Sequence, residues 1–163
     1  GKRIFIAFYY DKIMFDSQQE SIYMEELLAY VLLLCEGFDF WEEYQETLDK
    51  LFILNPEDEV LLDLEFMSGD IKGSCLYLKA HFNYAEFNAD KFGQFLMRKL
   101  AVLYKQNKLR HFAAKMYSLW QNLPDNISCE EPFWTLCYAD DPLSWEDEKQ
   151  CRELYEYMLN YYN

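Results

Sequence analysis

The sequence has few of the residues that build turns, phosphate loops and metal sites. Its 163 residues include only 5 Gly, 4 Pro and 2 His. So few turn formers, beside many Leu, Glu, Tyr and Phe, argue against a turn-dense β-sandwich. Glycines this scattered cannot form the Gly-rich loop that cradles a phosphate. These absences favour a helical protein and disfavour several classes of enzyme.

Basic side chains are also scarce. The chain has 15 Lys and Arg against 29 Asp and Glu, a formal net charge of −14. A surface this acidic repels polyphosphate, so we exclude direct binding of nucleic acid. Hydrophobic residues make up 52% of the chain, which is too many for an intrinsically disordered protein. A basic macromolecular partner is compatible with all of these values.

Long hydrophobic runs and paired cysteines are missing as well. The longest uncharged apolar run, Leu27–Cys35, is nine residues, far short of the ~20 that a membrane helix needs. The apolar stretch Ile4–Tyr10 continues into Asp11 and Lys12 without a small-residue cleavage site, unlike a signal peptide. Five cysteines, none in a Cys-x-x-Cys pair, indicate reduced thiols. We expect a cytoplasmic protein without a membrane segment.

No pattern of catalytic or metal-binding residues appears. His81 and His111 lie in different segments, and neither belongs to a His-Glu-x-x-His motif. There is no Gly-x-Ser-x-Gly nucleophile elbow. A nucleophilic pair such as Cys75 and His81 has no third residue to orient it. We therefore predict no catalytic residues, no metal and no cofactor.

Apolar spacing predicts an all-α protein: one irregular bundle or array of about seven or eight helices over residues 1–163. The only place for a strand is Ile4–Tyr10. Helix-start signals, an N-cap residue followed by acids, occur at Ser17–Glu20, Asn55–Glu59, Ser128–Glu131 and Ser144–Asp147. Apolar stripes at helical spacing cover residues 23–34, 41–52, 61–66, 71–82, 92–103, 109–123 and 151–162.

Charge is segregated along the chain. Residues 1–68 hold 16 acids and 4 bases, residues 69–123 hold 3 acids and 9 bases, and residues 124–163 hold 10 acids and 2 bases. Pairing between the basic middle and its acidic neighbours in the fold is one explanation. Exposed ion pairs contribute only ~0–1 kcal/mol each, however, so stability is a weak reason for the imbalance. The surplus acids must face solvent, where they can contact a partner.

Two clusters interleave acids with aromatics, at residues 38–46 and 138–148. Glu146 and Asp147 fit the first turn of a helix, where acids complement the dipole. Asp140 and Asp141 precede Pro142 in a predicted loop and have no such role. We expect the tryptophans of both clusters to be core anchors more often than surface residues. Acids that steer a basic partner, together with aromatic hot spots, predict ten binding residues: Asp140, Asp141, Glu146, Asp147, Glu130, Glu131, Trp145, Glu42, Glu43 and Glu46.

The stretches Glu131–Trp134, Tyr138–Pro142 and Ser144–Trp145, with the size, acidity and helical pattern of the whole chain, resemble a known group. They resemble the all-helical immunity proteins of bacterial contact-dependent growth inhibition, some of which neutralise EndoU-type nucleases. The resemblance implies a non-catalytic cytoplasmic protein that binds one basic cognate toxin domain, a nuclease, and blocks it stoichiometrically. It assigns no interface residue by position.

Two other functions are compatible with the sequence. An acidic mimic of nucleic acid would inhibit a DNA- or RNA-binding protein, but it needs carboxylates in rows, and the basic middle segment argues against a uniformly acidic rod. A helical scaffold for peptides would use the aromatics to line a groove. Gene neighbourhood separates the first two functions, because an upstream toxin gene favours immunity and a prophage locus favours mimicry.

Overall fold

The structure, a computed structural model, describes residues 22–163. Within them all regular secondary structure is helical, and turns and loops join the helices. These residues form seven α-helices and two 3-10 helices and contain no strand, so the all-α prediction is confirmed. The strand predicted at Ile4–Tyr10 and the cap predicted at Ser17–Glu20 lie outside the described residues. The helices are α1 Met24–Cys35, α2 Trp41–Leu54, α3 Glu59–Phe66, α4 Ile71–His81, α5 Ala89–Gln106, α6 Leu109–Asn122, η1 Phe133–Cys137, η2 Asp141–Trp145 and α7 Glu148–Leu159.

The chain divides into two compact units, with the division between Phe87 and Asn88. In the first unit α1 packs against α2 and α4, and α3 also packs against both of these helices. Leu27, Leu28 and Val31 of α1 are fully buried. An apolar stripe that covers most of a helix surface is typical of a central helix, and α1 has that position in its unit.

In the second unit α7 packs against α5 and both 3-10 helices, and α6 packs against α5 and η1. Aromatic rings fill the core between these elements. The rings of Phe112 and Tyr155 meet edge to face with their centroids 5.1 Å apart, and those of Phe92 and Phe133 are 5.7 Å apart. Such pairs contribute ~0.5–1.5 kcal/mol beyond the area they bury. The first pair joins α6 to α7, and the second joins η1 to α5.

The observed helix caps differ from the predicted ones by a few residues. The carboxylate of Asp58, and not Asn55, caps α3 by accepting hydrogen bonds from the backbone N–H groups of Val60 and Leu61. Asn55 instead ends α2, where its side-chain amide donates to the carbonyl of Leu51 over 3.1 Å. Several short polar side chains in a row can each act as a cap, and the backbone path decides which one does.

The same shift occurs further along the chain. Asp147, and not Ser144, caps α7, and the Ser128–Glu131 pair caps no helix, because η1 begins after Pro132 without a side-chain cap. The cap predicted for Ser144 is therefore wrong. Its hydroxyl donates to the carbonyl of Asp141 over 2.7 Å, inside η2.

Two residues of the predicted α3 stripe are on the surface. Leu62 is exposed and Phe66 is 81% exposed, whereas Leu61, Leu64 and Glu65 are buried. The apolar residues of this stripe therefore do not all join the core. Helix α3 has only eight residues and buries one face; the i, i+4 pair formed by Leu62 and Phe66 lies on another.

Candidate partner-binding segment

Residues 130–147, which contain seven of the ten predicted binding residues, form a run of 3-10 helices and turns. Side chains three residues apart lie above one another in a 3-10 helix. Phe133, Leu136, Ala139 and Pro142 follow that spacing, and all four are buried. This stripe fixes the segment to the core of the second unit. Between and just after the stripe positions Trp134, Asp141 and Ser144 are exposed, whereas Thr135 is buried.

Trp145 continues the three-residue spacing but does not join the buried stripe. The next residue, Glu146, has a left-handed backbone conformation with φ 62° that ends η2. Trp145 is 59% exposed. The expectation that this tryptophan is a core anchor is therefore wrong, because η2 ends at this turn and the buried stripe does not continue past Pro142. Trp145 is thus a large aromatic side chain on the surface. Glu146 follows it directly in the sequence, Asp141 precedes it by four residues, and both of these acids are exposed.

Asp140 and Asp141 have different environments. The sequence placed both in a loop, but Asp141 begins η2 and Asp140 precedes it. Asp141 is exposed, whereas Asp140 is half-buried, and no described residue donates a hydrogen bond to its buried Oδ1. Burial, with a smaller effect of the neighbouring Asp141 carboxylate, raises the pKa of Asp140. Of the two, Asp141 is the one that presents its charge to solvent.

Three of the remaining acids in the segment have separate roles. Glu130 is exposed. Glu131 accepts a 2.6 Å hydrogen bond from the hydroxyl of Thr135, which is buried. Asp147 accepts a 3.0 Å hydrogen bond from the backbone N–H of Gln150 at the start of α7. Glu131 and Asp147 therefore hold the segment and its exit in shape, whatever else they contact.

Aromatic side chains from α6 and η1 form a row on the second unit. The rings of Tyr117 and Trp120 are 5.7 Å apart, and those of Trp120 and Trp134 are 5.8 Å apart in a T-shaped pair. Tyr117 and Trp134 are both exposed, Trp134 by 40%. The indole N–H of Trp120 donates to the carbonyl of Ser128 over 2.8 Å, which joins the row to the turn before η1.

The other three predicted binding residues lie on α2, in the first unit. Glu42 and Glu43 occupy its first turn and are exposed. Glu46 forms a 3.1 Å ion pair with Lys50 one turn later. Trp41, at the start of the helix, is partly exposed, and its ring lies 5.9 Å from that of Tyr44. First-turn acids complement the helix dipole, so the charges of Glu42 and Glu43 have a structural explanation.

Three basic side chains of the middle segment are not neutralised by pairing with the described acids. Arg98, Lys105 and Lys108 form no ion pair with any described residue. The ion pairs Lys50–Glu46 and Lys149–Glu153 each lie within one helix. Internal pairing therefore does not account for the charges of these three residues.

Sequence reasoning missed the aromatic row. Tyr117 and Trp120 lie in a helix that the sequence predicts correctly. The apolar stripe predicted at residues 109–123 includes Trp120. Exposure of Tyr117 and Trp134 depends on how η1 packs against α6. The available signal was the i, i+3 spacing of Tyr117 and Trp120, together with Trp134 in the next helical element.

Between residues 22 and 163, every helix is too short or too polar to form a transmembrane span. The same part of the chain has no group of three or more His, Cys, Asp and Glu side chains placed to hold a metal ion. No protein-family model, curated protein or solved structure matches this chain. Functional inference therefore depends on the residues themselves.

Proposed function

We propose that this protein is an immunity protein, of the type found in contact-dependent growth inhibition. It binds a basic cognate toxin domain, a nuclease, and neutralises it by covering its surface. The contact is made by the exposed side chains of residues 130–147, with Trp145 as the aromatic anchor and Asp141 and Glu146 as the charged groups. Binding is stoichiometric and involves no chemical reaction.

The observation that carries this proposal is the exposure of Trp145. Tryptophan is a costly residue to leave in water, since it has one of the largest apolar surfaces of any side chain. It is also among the residues most enriched at binding hot spots, where truncation costs about 2 kcal/mol or more. Trp145 is 59% exposed although buried residues precede it at the same spacing. A partner that covers it explains why it stands on the surface.

The surrounding charge indicates the chemistry of the partner. Asp141, Glu146 and Glu130 are exposed acids within the same segment. Acids clustered around an apolar anchor attract a surface rich in Lys and Arg and raise the rate of encounter. A nuclease has such a surface, because it must bind the phosphates of its substrate. The aromatic row, in which Tyr117 and Trp134 are exposed, offers additional contact area.

Binding to the toxin domain encoded by the upstream gene tests the proposal. Trp145→Ala and Asp141→Lys should each weaken the complex at least tenfold, and toxin activity should return in their presence. Phe66→Ala and Glu57→Lys are matched controls, because they make the same kinds of change at exposed positions of the first unit. The controls should bind and protect like the native chain.

Salt dependence separates the contribution of the acids from that of the Trp145 anchor. If the acids steer the partner, the association rate of the native chain should fall as salt rises, and Asp141→Lys should show a weaker dependence. Trp145→Ala should instead increase the dissociation rate. If Trp145→Ala and Asp141→Lys both bind and protect normally, the proposed contact segment is wrong. If no complex with the toxin domain forms at all, the proposed function is wrong.

A further inference from the structure

Two cysteines far apart in the sequence meet in the first unit. Cys35 is the last residue of α1, and Cys75 lies in α4, which packs against α1. The Sγ of Cys35 lies 3.9 Å from the carbonyl oxygen of Ile71, which is one turn before Cys75 in α4. A helical side chain leans toward the preceding turn, so Cys75 lies on the part of α4 that Cys35 meets. Neither cysteine is in a disulfide. The fold thus brings two reduced cysteines together where α1 ends against α4.

The two thiols differ in access to solvent and in acidity. Cys35 is half-buried, whereas Cys75 is buried. The hydrogen bond from Cys75, helped by the charges of Lys79 and Lys72, lowers the pKa of Cys35 to about 7, against the opposing effects of burial and Glu36. The same hydrogen bond, together with burial, raises the pKa of Cys75. Near neutral pH a large share of Cys35 is therefore the thiolate, which is the reactive form of cysteine, whereas Cys75 stays protonated.

We propose that Cys35 and Cys75 form a redox-active dithiol, in which Cys35 reacts with a peroxide and Cys75 closes a disulfide. This assignment comes from the position of Cys35 against the turn of α4 that precedes Cys75 and from the unequal exposure of the two cysteines. It concerns the first unit and does not depend on the function proposed for residues 130–147.

The chemistry takes two steps. The Cys35 thiolate attacks one oxygen of hydrogen peroxide, the O–O bond breaks, and sulfenic acid and hydroxide form. The Cys75 sulfur then attacks the Cys35 sulfur, its thiol proton goes to the departing oxygen, and water leaves as the S–S bond forms. Two thiols are oxidised and one peroxide is reduced. The second step needs no solvent access to Cys75, because both cysteines lie where α1 packs against α4.

The disulfide would join the C-terminal end of α1 to α4. A cross-link between residues this far apart restricts the unfolded chain and stabilises the native state against unfolding. We expect the oxidised protein to have a higher Tm than the reduced protein. A thiol reductant should reverse the change.

The test is to treat the full-length folded chain with hydrogen peroxide, block the remaining thiols with an alkylating agent, and map the peptides by mass spectrometry. A peptide pair joined through Cys35 and Cys75 is the expected product. Cys129→Ser removes an exposed cysteine outside the pair and should leave that product unchanged. Wild-type protein in which Cys35 and Cys75 remain alkylatable, or in which Cys129 becomes the partner of either, would overturn the proposal.

Single variants assign the roles. Cys75→Ser should leave Cys35 as a sulfenic acid that a dimedone probe labels, and Cys35→Ser should abolish both labelling and cross-linking. Equal dimedone labelling of Cys75 in the Cys35→Ser variant would overturn the assignment of the reactive thiol. If Cys75→Ser does not fold, the wild-type peptide map still decides whether the disulfide forms.

Discussion

The hydroxyl of Thr135 donates a 2.6 Å hydrogen bond to the Oε2 of Glu131, one turn earlier. Thr135 is fully buried, so its hydroxyl must find a partner inside the protein, and a carboxylate is the strongest acceptor available. Glu131 is exposed and can be hydrated on its other oxygen. This acid, one of the predicted binding residues, therefore holds the start of η1 in place.

Thr135→Val should lower the free energy of unfolding by about 1 kcal/mol, because it removes this hydrogen bond while keeping the shape of the side chain. Thr135→Ser keeps the hydroxyl and should retain most of the bond, although it loses a methyl group. Urea denaturation of the three proteins provides the measurement. A Val variant as stable as the native chain would show that the bond contributes nothing to folding.

Asp147→Ala should destabilise the protein by about 1 kcal/mol, since it removes the cap of α7. Ser144→Ala should change stability by less than about 0.5 kcal/mol, because Ser144 is exposed and its hydroxyl only closes a turn of η2. Thermal unfolding followed by circular dichroism distinguishes the two variants. The reverse order would restore Ser144 as the cap.

Phe133→Ala should cost about 3–5 kcal/mol, because Phe133 is 2% exposed and packs against Phe92. Trp145→Ala removes a larger side chain but should cost less than about 1 kcal/mol, since most of that side chain is already in water. Chemical denaturation measures both. A large loss of stability in Trp145→Ala would mean that Trp145 serves the fold, and reduced binding by that variant would then have a structural cause.

Asp140→Asn should stabilise the protein at neutral pH. Burial raises the pKa of Asp140 above its ordinary value, so the folded state binds this proton more tightly than the unfolded state does. The resulting stability is fully present below the unfolded pKa and is lost as pH rises through the folded pKa. Asparagine avoids that loss.

Unfolding in urea at neutral pH and at a pH below the ordinary carboxyl range measures the effect of Asp140→Asn. The gain should disappear at the lower pH. Asp125→Asn removes the same charge from an exposed turn and controls for the general relief of repulsion in an acidic chain. A gain of equal size for both variants would exclude burial as the cause.

The long helices of this protein could be predicted from the sequence because their apolar residues repeat over many turns. Helices α5 and α6 appear where the stripes at 92–103 and 109–123 predict them. An apolar stripe of that length predicts a helix even where a single residue departs from the pattern. The end of α6 at Asn122 also agrees with the sequence, because Pro124 follows two residues later and proline cannot continue a helix.

The candidate binding segment could be predicted only in part. Its acids were found because they are charged residues next to aromatics, but the exposure of Trp145 depends on the left-handed turn at Glu146. A glutamate is not a residue whose presence signals such a turn. The meeting of Cys35 with the α4 turn before Cys75 depends on how α1 packs against α4, which no local pattern contains.

The buried stripe of Phe133, Leu136, Ala139 and Pro142 makes this segment tolerant of substitution at its exposed positions but intolerant of a change in length. One inserted or deleted residue would rotate the later members of the stripe out of the core, whereas exchanging the residues between them leaves every anchor in register. The exposed side chains can therefore change by point substitution while the backbone stays the same. If the segment binds a partner as proposed, variants with randomised exposed positions and constant spacing would sample new partners without refolding the protein.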